Sequence, residues 1–446
     1  MIKRYFGTDG IRGKVGAGLI TPEAFFRLGI AAGNALAGTH NPSRVLIGRD
    51  TRGSGAKLEE AVVAGLFAAG ADAVSTGVLP TPGVAMLTKR IGFDFGIMLT
   101  ASHNPSTDNG IKFFGPDGYK LSDEQELAIE QQFDQAEGYG SFIPRSAPLM
   151  ADATDRYADI VRASLPRGTT LDGLKIVLDC SNGAGFNAAP MVLSQLGADL
   201  TVIGYQPDGR NINQGCGSTD LTALKAAVAD NGADIGIALD GDADRLILVD
   251  EGGQVVDGDQ IMALLTRHLH QQGRLKGGGL VATVMSNLGL ERALEADGLN
   301  LIRTPVGDRH VVDAMRKGGF NIGGEQSGHI VLGDYGTTGD GLMAALPVLI
   351  ACHASQKPAS DVCRQFDAVP QLLKNVRYGD VDPLEDAGIR DQIEVAEKDL
   401  VGAGRLLIRK SGTEPLIRVM AEGDDEAQIT RIVDRLILAI EEFANG

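Results

Sequence analysis

Two segments of the chain, Asp94-Phe-Gly-Ile-Met-Leu99 and Asp234-Ile-Gly-Ile-Ala-Leu239, agree at four of six positions, and each runs straight into a polar loop. A short apolar run bounded by polar residues reads as a buried strand. Phe320-Asn-Ile322 enters a third polar loop in a looser version of the pattern. Two readings follow. Short buried strands can agree by chance. Alternatively, α/β units have been duplicated, each delivering one loop from the carboxyl end of a strand, where open α/β sheets place their ligands.

The surrounding pattern favours α/β layers. Arg44–Gly48, Lys175–Leu178, Leu200–Ile203 and Leu246–Val249 read as further strands, with helical stretches such as Leu58–Ala69 and Leu221–Ala229 between them. Strands alternating with helices predict sheets that are mixed but largely parallel. Thr21 before Pro22 and Glu23 is an N-cap followed by a first-turn proline. Breaks at 141–153, 250–259 and 366–372 divide the chain into 1–150, 151–254, 255–368 and 369–446. The first three segments are read as α/β domains and the last as a smaller α+β domain. That last segment has strands at Arg405–Ile408 and Leu416–Met420, and a final helix with apolar residues from Ile429 to Phe443 on one face.

Charge narrows the partners. Lys plus Arg number 41 against 58 Asp plus Glu, a net charge of −17. This argues against duplex nucleic acid or an anionic membrane as partner, but not against a small anion met by local cations. The four cysteines form no Cys-x-x-Cys pair, so idle thiols in a reducing compartment are expected. The opening MIKRYFGTDG lacks a signal-peptide core, and the longest apolar run, Leu342 to Cys352, contains Pro347 and is too short to span a bilayer. The expectation is a soluble cytoplasmic protein.

Five loops carry chemistry. In Thr100-Ala-Ser-His-Asn-Pro105, Ser102 is a candidate nucleophile; in an extended strand its neighbour His103 would point to the opposite face, so the two are not read as a Ser–base pair. Asp240-Gly-Asp-Ala-Asp-Arg245 sets three carboxylates at alternate positions, able to curl around one hard cation such as Mg²⁺. Without a cation those charges repel one another. An EF-hand is excluded, because Arg245 stands where that loop needs glycine and strands flank the motif. In Gly323-Gly-Glu-Gln-Ser-Gly-His329, Glu325 and Ser327 suit sugar hydroxyls, and His329 can move a proton. Arg409-Lys-Ser-Gly-Thr-Glu-Pro415, with Arg418 beyond it, reads as a phosphate cradle without P-loop spacing. Gly7-Thr-Asp-Gly-Ile-Arg-Gly13 brings Arg12, and Asn109-Gly-Ile-Lys112 brings Lys112. The acidic loop is the most specific of them; each of the others taken alone also fits an ordinary turn or surface charge. Together they suit phosphoryl transfer, which depends on positioning and electrostatics.

TASHNP, DGDADR, GEQSGH and RKSGTEP, in this order, resemble the phosphoserine, metal, sugar and phosphate loops of the α-D-phosphohexomutases, and the match runs the full length. The opening RYFGTDGIRG and Gln326 resemble the branch acting on glucosamine phosphates; the mannose/glucose phosphate branches and a non-catalytic sugar-phosphate binder are the alternatives. The resemblance implies four domains around a central cleft, a phosphorylated Ser102, and Mg²⁺ held by Asp240, Asp242, Asp244 and the phosphoserine. It also implies a sugar 1,6-bisphosphate as primer and intermediate. Arg12, Lys112, Arg245 and His329 would serve charge stabilisation or proton transfer. Glu325 and Ser327 would hold sugar hydroxyls, and Arg409, Ser411, Gly412, Thr413 and Arg418 a phosphate. Family analogy allows a homodimer.

Overall fold

The computed structural model describes residues 3–36, 38–138, 141–379, 381–410 and 415–445. The chain divides into two compact units, Met1–Thr283 with Ile302–Arg364, and Val284–Leu301 with Gln365–Gly446.

The first unit holds three sheets. In the first, β1 (Ile11–Lys14), β2 (Arg44–Arg49), β3 (Asp72–Val78), β4 (Phe95–Leu99) and β5 (Asp108–Phe114) run in the order β1-β5-β4-β2-β3. In the second, β6 (Lys175–Asp179), β7 (Asp199–Ile203), β8 (Ile235–Leu239), β9 (Leu246–Asp250) and β10 (Val255–Val256) run β10-β9-β8-β6-β7. The third comprises β11 (Gly279–Thr283), β12 (Asn300–Thr304), β13 (Ile322–Gly324) and β14 (Ile330–Leu332), in the order β12-β11-β13-β14. Each sheet contains the same module. β4, β8 and β13 each lie parallel to one neighbour (β2, β6, β11) and antiparallel to the strand that follows (β5, β9, β14). The polar loops expected after the echoed segments are the connections from these strands to their antiparallel successors.

All five residues of β4 and of β8 are buried. Strands covered on both faces explain the unbroken apolar runs. Beside the first sheet, the helices Pro22–Ala35 and Gly55–Ala68 cross closely. A Cβ on Gly29 would lie 2.3 Å from the Val62 carbonyl oxygen, so glycine is required there. Thr21 caps the first of these helices, accepting from the Ala24 N–H at 3.2 Å. Residues 250–259 contain a hairpin, in which β10 folds back antiparallel on β9. The apolar run with Pro347 is a buried helix, Gly341–Ser355. Among the described residues no helix is long and apolar enough to cross a membrane.

The second unit carries an antiparallel sheet of β15 (Gln371–Arg377), β16 (Gly404–Lys410) and β17 (Leu416–Gly423), in the order β15-β17-β16. The final helix, Glu426–Asn445, packs Ile429, Ile432, Val433, Leu436 and Ile440 into its core, as their spacing requires.

Candidate active site

The first unit gathers the loops after β4, β8 and β13 with the segment before β1. Ser102 is 1% exposed, and its Oγ donates to Asp240 Oδ2 at 2.6 Å. Its φ of +51° is left-handed, which costs a non-glycine residue about 1–2 kcal/mol. This conformation corrects the expectation for His103. The residues are not in a strand, so the alternation of faces fails, and His103 Nδ1 lies 3.3 Å from Ser102 Oγ. Burial, with Arg245 and Arg12 nearby, lowers the His103 pKa to about 4, so the ring is neutral at physiological pH.

Asp240, Asp242 and Asp244 are buried, with one oxygen from each lying within 4.8 Å of the others. Ala243, at φ +57°, turns the chain between them. Gly241 is forced by close approach: a Cβ there would lie 2.5 Å from the Ser102 carbonyl oxygen. Thr81 Oγ1 donates to Asp242 Oδ2 at 2.6 Å, while Asp242 Oδ1 is buried with no hydrogen-bond partner among the described residues. Burial, then Asp244 and Asp242, push the Asp240 pKa well up. A divalent cation fits this cluster: the donors are all hard oxygens, two of them (Asp242 Oδ1 and Asp244 Oδ1) are buried without a hydrogen-bond partner among the described residues, and the carboxylates destabilise one another.

Cations border the triad. Lys112 Nζ, 1% exposed, is 2.8 Å from Asp242 Oδ2 and 3.1 Å from both Asp244 Oδ2 and Asp9 Oδ2. Burial alone would lower its pKa, but Asp242, Asp244 and Asp9 raise it, so it stays an ammonium. Arg12 pairs with Asp9, and Lys120 bridges Asp9 and Asp308. Arg245 donates its N–H to Asp240 Oδ1 at 3.1 Å, and its guanidinium Nε is buried without a partner among the described residues. His329 lies between Asp244 (3.5 Å from Nδ1) and Asp308 (3.3 Å from Nε2). Burial opposes its charge and the two carboxylates raise its pKa; the Gly339 N–H aimed at Nε2, 3.0 Å away, limits that rise and favours a proton on Nδ1.

In the third loop, Glu325 Oε1 accepts from the Gly307 N–H at 3.0 Å, with the Ser327 hydroxyl 3.5 Å from its other oxygen. Gln326 turns away, its Nε2 donating to Asp257 Oδ2 at 3.2 Å. It therefore anchors the loop to the cap of the helix Gly258–Gln271.

The second unit carries the remaining cations. Arg409 on β16 and Arg418 on β17 are directly opposed, and neither Nε has a partner among the described residues. Partial burial and Arg418 lower the Arg409 pKa. Opposed like charges destabilise a sheet, so this pair suits an anion. Ser411, Gly412 and Thr413 lie outside the described residues.

Sequence reasoning missed Asp9, Asp308 and Lys120, which tie the cations to the triad, and Arg52 and Asn213, which hold the Ser102 loop. The signal for Asp9 was present, because it lies within the Gly7–Gly13 segment beside Arg12. The others are distant in sequence from the loops they serve.

Three α/β modules, a small antiparallel domain and, within the first unit, a buried serine set against an acidic triad define a multidomain α/β protein with a metal-competent centre. The four domain profiles of one family match in order. Domain I of phosphoglucomutase/phosphomannomutase covers residues 3–139, domain II 155–253, domain III 257–369, and the C-terminal domain 373–439. The chain belongs to the phosphoglucomutase/phosphomannomutase family. It is 56% identical over 442 residues to the phosphoglucosamine mutase of Sphingopyxis alaskensis, covering 98% of this chain and 99% of that one. It is 55% identical over 446 residues to the phosphoglucosamine mutase of Novosphingobium aromaticivorans, covering both chains completely. Among solved structures, a phosphoglucomutase/phosphomannomutase family protein from Burkholderia thailandensis shares the fold, with a TM-score of 0.81, 24% identity and 98% of each chain covered.

Proposed function

We propose that this chain is a mutase interconverting glucosamine 6-phosphate and glucosamine 1-phosphate through a phosphorylated Ser102. The observation that carries the reading is the Ser102 hydroxyl 2.6 Å from Asp240, at the edge of a buried carboxylate triad. The full-length relatives carrying the phosphoglucosamine mutase name support the choice of sugar.

Asp240, Asp242, Asp244 and an oxygen of the phosphorylated Ser102 would hold the metal, for which all-oxygen ligation favours Mg²⁺. The metal supplies Lewis-acid stabilisation of charge on the phosphoryl oxygens. The chain's own groups do the rest. The phosphoryl group leaves Ser102 Oγ for the free 1-hydroxyl of the 6-phosphate, whose proton passes to a base of the site. A 1,6-bisphosphate results. After reorientation, the 6-phosphoryl group returns to Ser102, leaving the 1-phosphate. Arg245, Lys112 and Arg12 stabilise developing negative charge. His329, held between two carboxylates, is the candidate for proton movement. Glu325 and Ser327 receive sugar hydroxyls. In the second unit Arg409, Arg418 and the segment Ser411-Gly412-Thr413 bind a substrate phosphate.

The four described cysteines are free and buried, which suits a reducing cytoplasm. A homodimer is part of the same proposal, and sedimentation measures it directly.

The experiment is ³¹P NMR of metal-loaded, bisphosphate-primed protein given equal glucosamine, glucose and mannose 6-phosphates. Glucosamine 1-phosphate should appear fastest. Preference for another sugar would overturn the substrate, and release of inorganic phosphate alone would overturn the mutase.

A further inference from the structure

Arg52 takes no part in the chemistry above, yet its side chain is wholly buried beneath the Ser102 loop. A guanidinium has five N–H donors, and here every one is used. Nε donates to Asp50 Oδ2 at 2.8 Å. One terminal nitrogen donates to the carbonyl oxygens of Ser102 (2.9 Å) and Asn104 (2.7 Å). The other donates to those of Asp108 (2.9 Å) and Pro105. A second connection approaches the same loop from the amide side. Asp50 Oδ2 also accepts from Thr100 Oγ1 at 2.7 Å, and Thr100 Oγ1 in turn accepts from the Ser102 N–H at 2.9 Å. Both sides of the Ser102 backbone are therefore referred to one buried ion pair, Asp50–Arg52.

We infer that Arg52 is a positioning residue for phosphoryl transfer, holding Ser102 in its left-handed conformation so that Oγ meets the acidic triad. The argument is geometric. A φ of +51° is unfavourable for serine, so something outside the residue has to hold it. Four inward-turned carbonyls on one planar fork fix the loop's path from residue 102 to 108, and the Thr100 bridge fixes the amide of residue 102. Asn213 Nδ2 also donates to the Ser102 and Asn104 carbonyls, but the fork alone reaches those of Pro105 and Asp108 as well. Lysine offers three donors from one point, which cannot reach four separated carbonyls and a carboxylate. The inference rests on the proposed role of Ser102 and deepens it by naming what aims the nucleophile.

The test is the rate at which Ser102 takes up a phosphoryl group from glucose 1,6-bisphosphate in the presence of Mg²⁺, followed by mass spectrometry in single turnover. Thermal melting measures folding alongside. Arg52→Lys should slow this step on the order of 10- to 100-fold, the usual effect of misplacing a reacting group by a fraction of an ångström. In steady state kcat should fall while KM changes little. Thr100→Val should slow phosphorylation in the same direction by less, and Thr100→Ser, which keeps the hydroxyl, should restore it. If Arg52→Lys does not fold, the Thr100 pair carries the test alone. Wild-type rates in folded Arg52→Lys, or equal rates in the two Thr100 variants, would overturn the positioning role. A wild-type protein that takes up no phosphoryl group would instead overturn the proposed function.

Discussion

The first and second sheets share the order of four strands, β5-β4-β2-β3 and β9-β8-β6-β7, and differ in what they do with it. An aspartate stands just after β2 (Asp50) and at the end of β6 (Asp179), and each carboxylate accepts the N–H two residues on: Arg52 to Asp50 at 3.0 Å, and Ser181 to Asp179 at 2.8 Å. From there they diverge. Asp50 is met by the Arg52 guanidinium, whereas Asp179 is satisfied by backbone, with the Gly217 N–H at 2.7 Å. The second sheet then reaches across to the first. Ser181 Oγ donates to Asn213 Oδ1, and Asn213 Nδ2 donates to the Ser102 and Asn104 carbonyls at 2.9 and 3.0 Å. Both modules thus support the one loop that carries the serine. The comparison teaches that the shared backbone supplies a position at the end of a central strand, and that side chains at a few turn residues decide which loop is held and which holds.

That division can be broken at its chemical centre first. Ser102→Ala should abolish phosphoprotein formation and sustained turnover; mass spectrometry and a coupled assay measure both, and retained turnover would remove the serine from the mechanism. Removing one carboxylate from the opposing loop comes next. Asp242→Asn should lower kcat by about 10²–10³-fold, as for loss of one preorganised electrostatic group, and shift the Mg²⁺ titration to higher concentration. An unchanged titration would separate the triad from the metal. Arg418→Ala, in the second unit, should act mainly on binding. Loss of a charge-assisted contact worth roughly 1.5–3 kcal/mol predicts a KM higher by about 10- to 100-fold, read from initial rates, with kcat less affected.

The smallest effect probes the duplicated strands themselves. Asp94 and Asp234 open the two echoed segments, and each accepts the first N–H of the neighbouring strand at 2.8 Å, from Arg44 and Lys175. Asp94 is buried and takes further bonds from the Thr39 N–H and His40 Nδ1, while Asp234 is exposed. Burial would raise the Asp94 pKa, but the Arg44 N–H, His40 and Thr39 hold it at about 2. Against an unfolded value of about 3.9 this is worth about 2–3 kcal/mol. The pKa is depressed by folding, so the stabilisation is present above pH ~4 and is lost as pH falls toward 2. Asp94→Asn should therefore lower unfolding free energy by about 2–3 kcal/mol at pH 7, with the difference vanishing below about pH 2. Asp234→Asn should cost less than about 1 kcal/mol. Equal costs in urea titrations would show that the two positions are energetically alike.

Much of this was legible beforehand because it is local. β4 and β8 announced themselves by apolar runs, since both faces are covered, and DGDADR announced itself because three carboxylates so close together need a counter-charge. His103 was misjudged because a rule for strands was applied to a residue whose neighbour adopts a left-handed φ. Gln326 drew notice by its place in the GEQSGH motif, and in space its amide is tethered to Asp257. Arg52, Asn213, Lys120 and Asp308 gave no signal, because each acts on a loop contributed by another stretch of chain.

The sequence by itself determined the alternation of strands and helices, the repeated central strand, the acidic triad and the serine loop that follows β4, all of which depend on neighbours in the chain. Only the tertiary structure decided that Ser102 Oγ meets Asp240, that Lys112 reaches Asp242 and Asp244, and that Arg52 spends all five donors beneath the loop. Those are contacts between residues remote in sequence. Such contacts are fixed by the packing of whole sheets, and no local pattern encodes where a neighbouring sheet will lie.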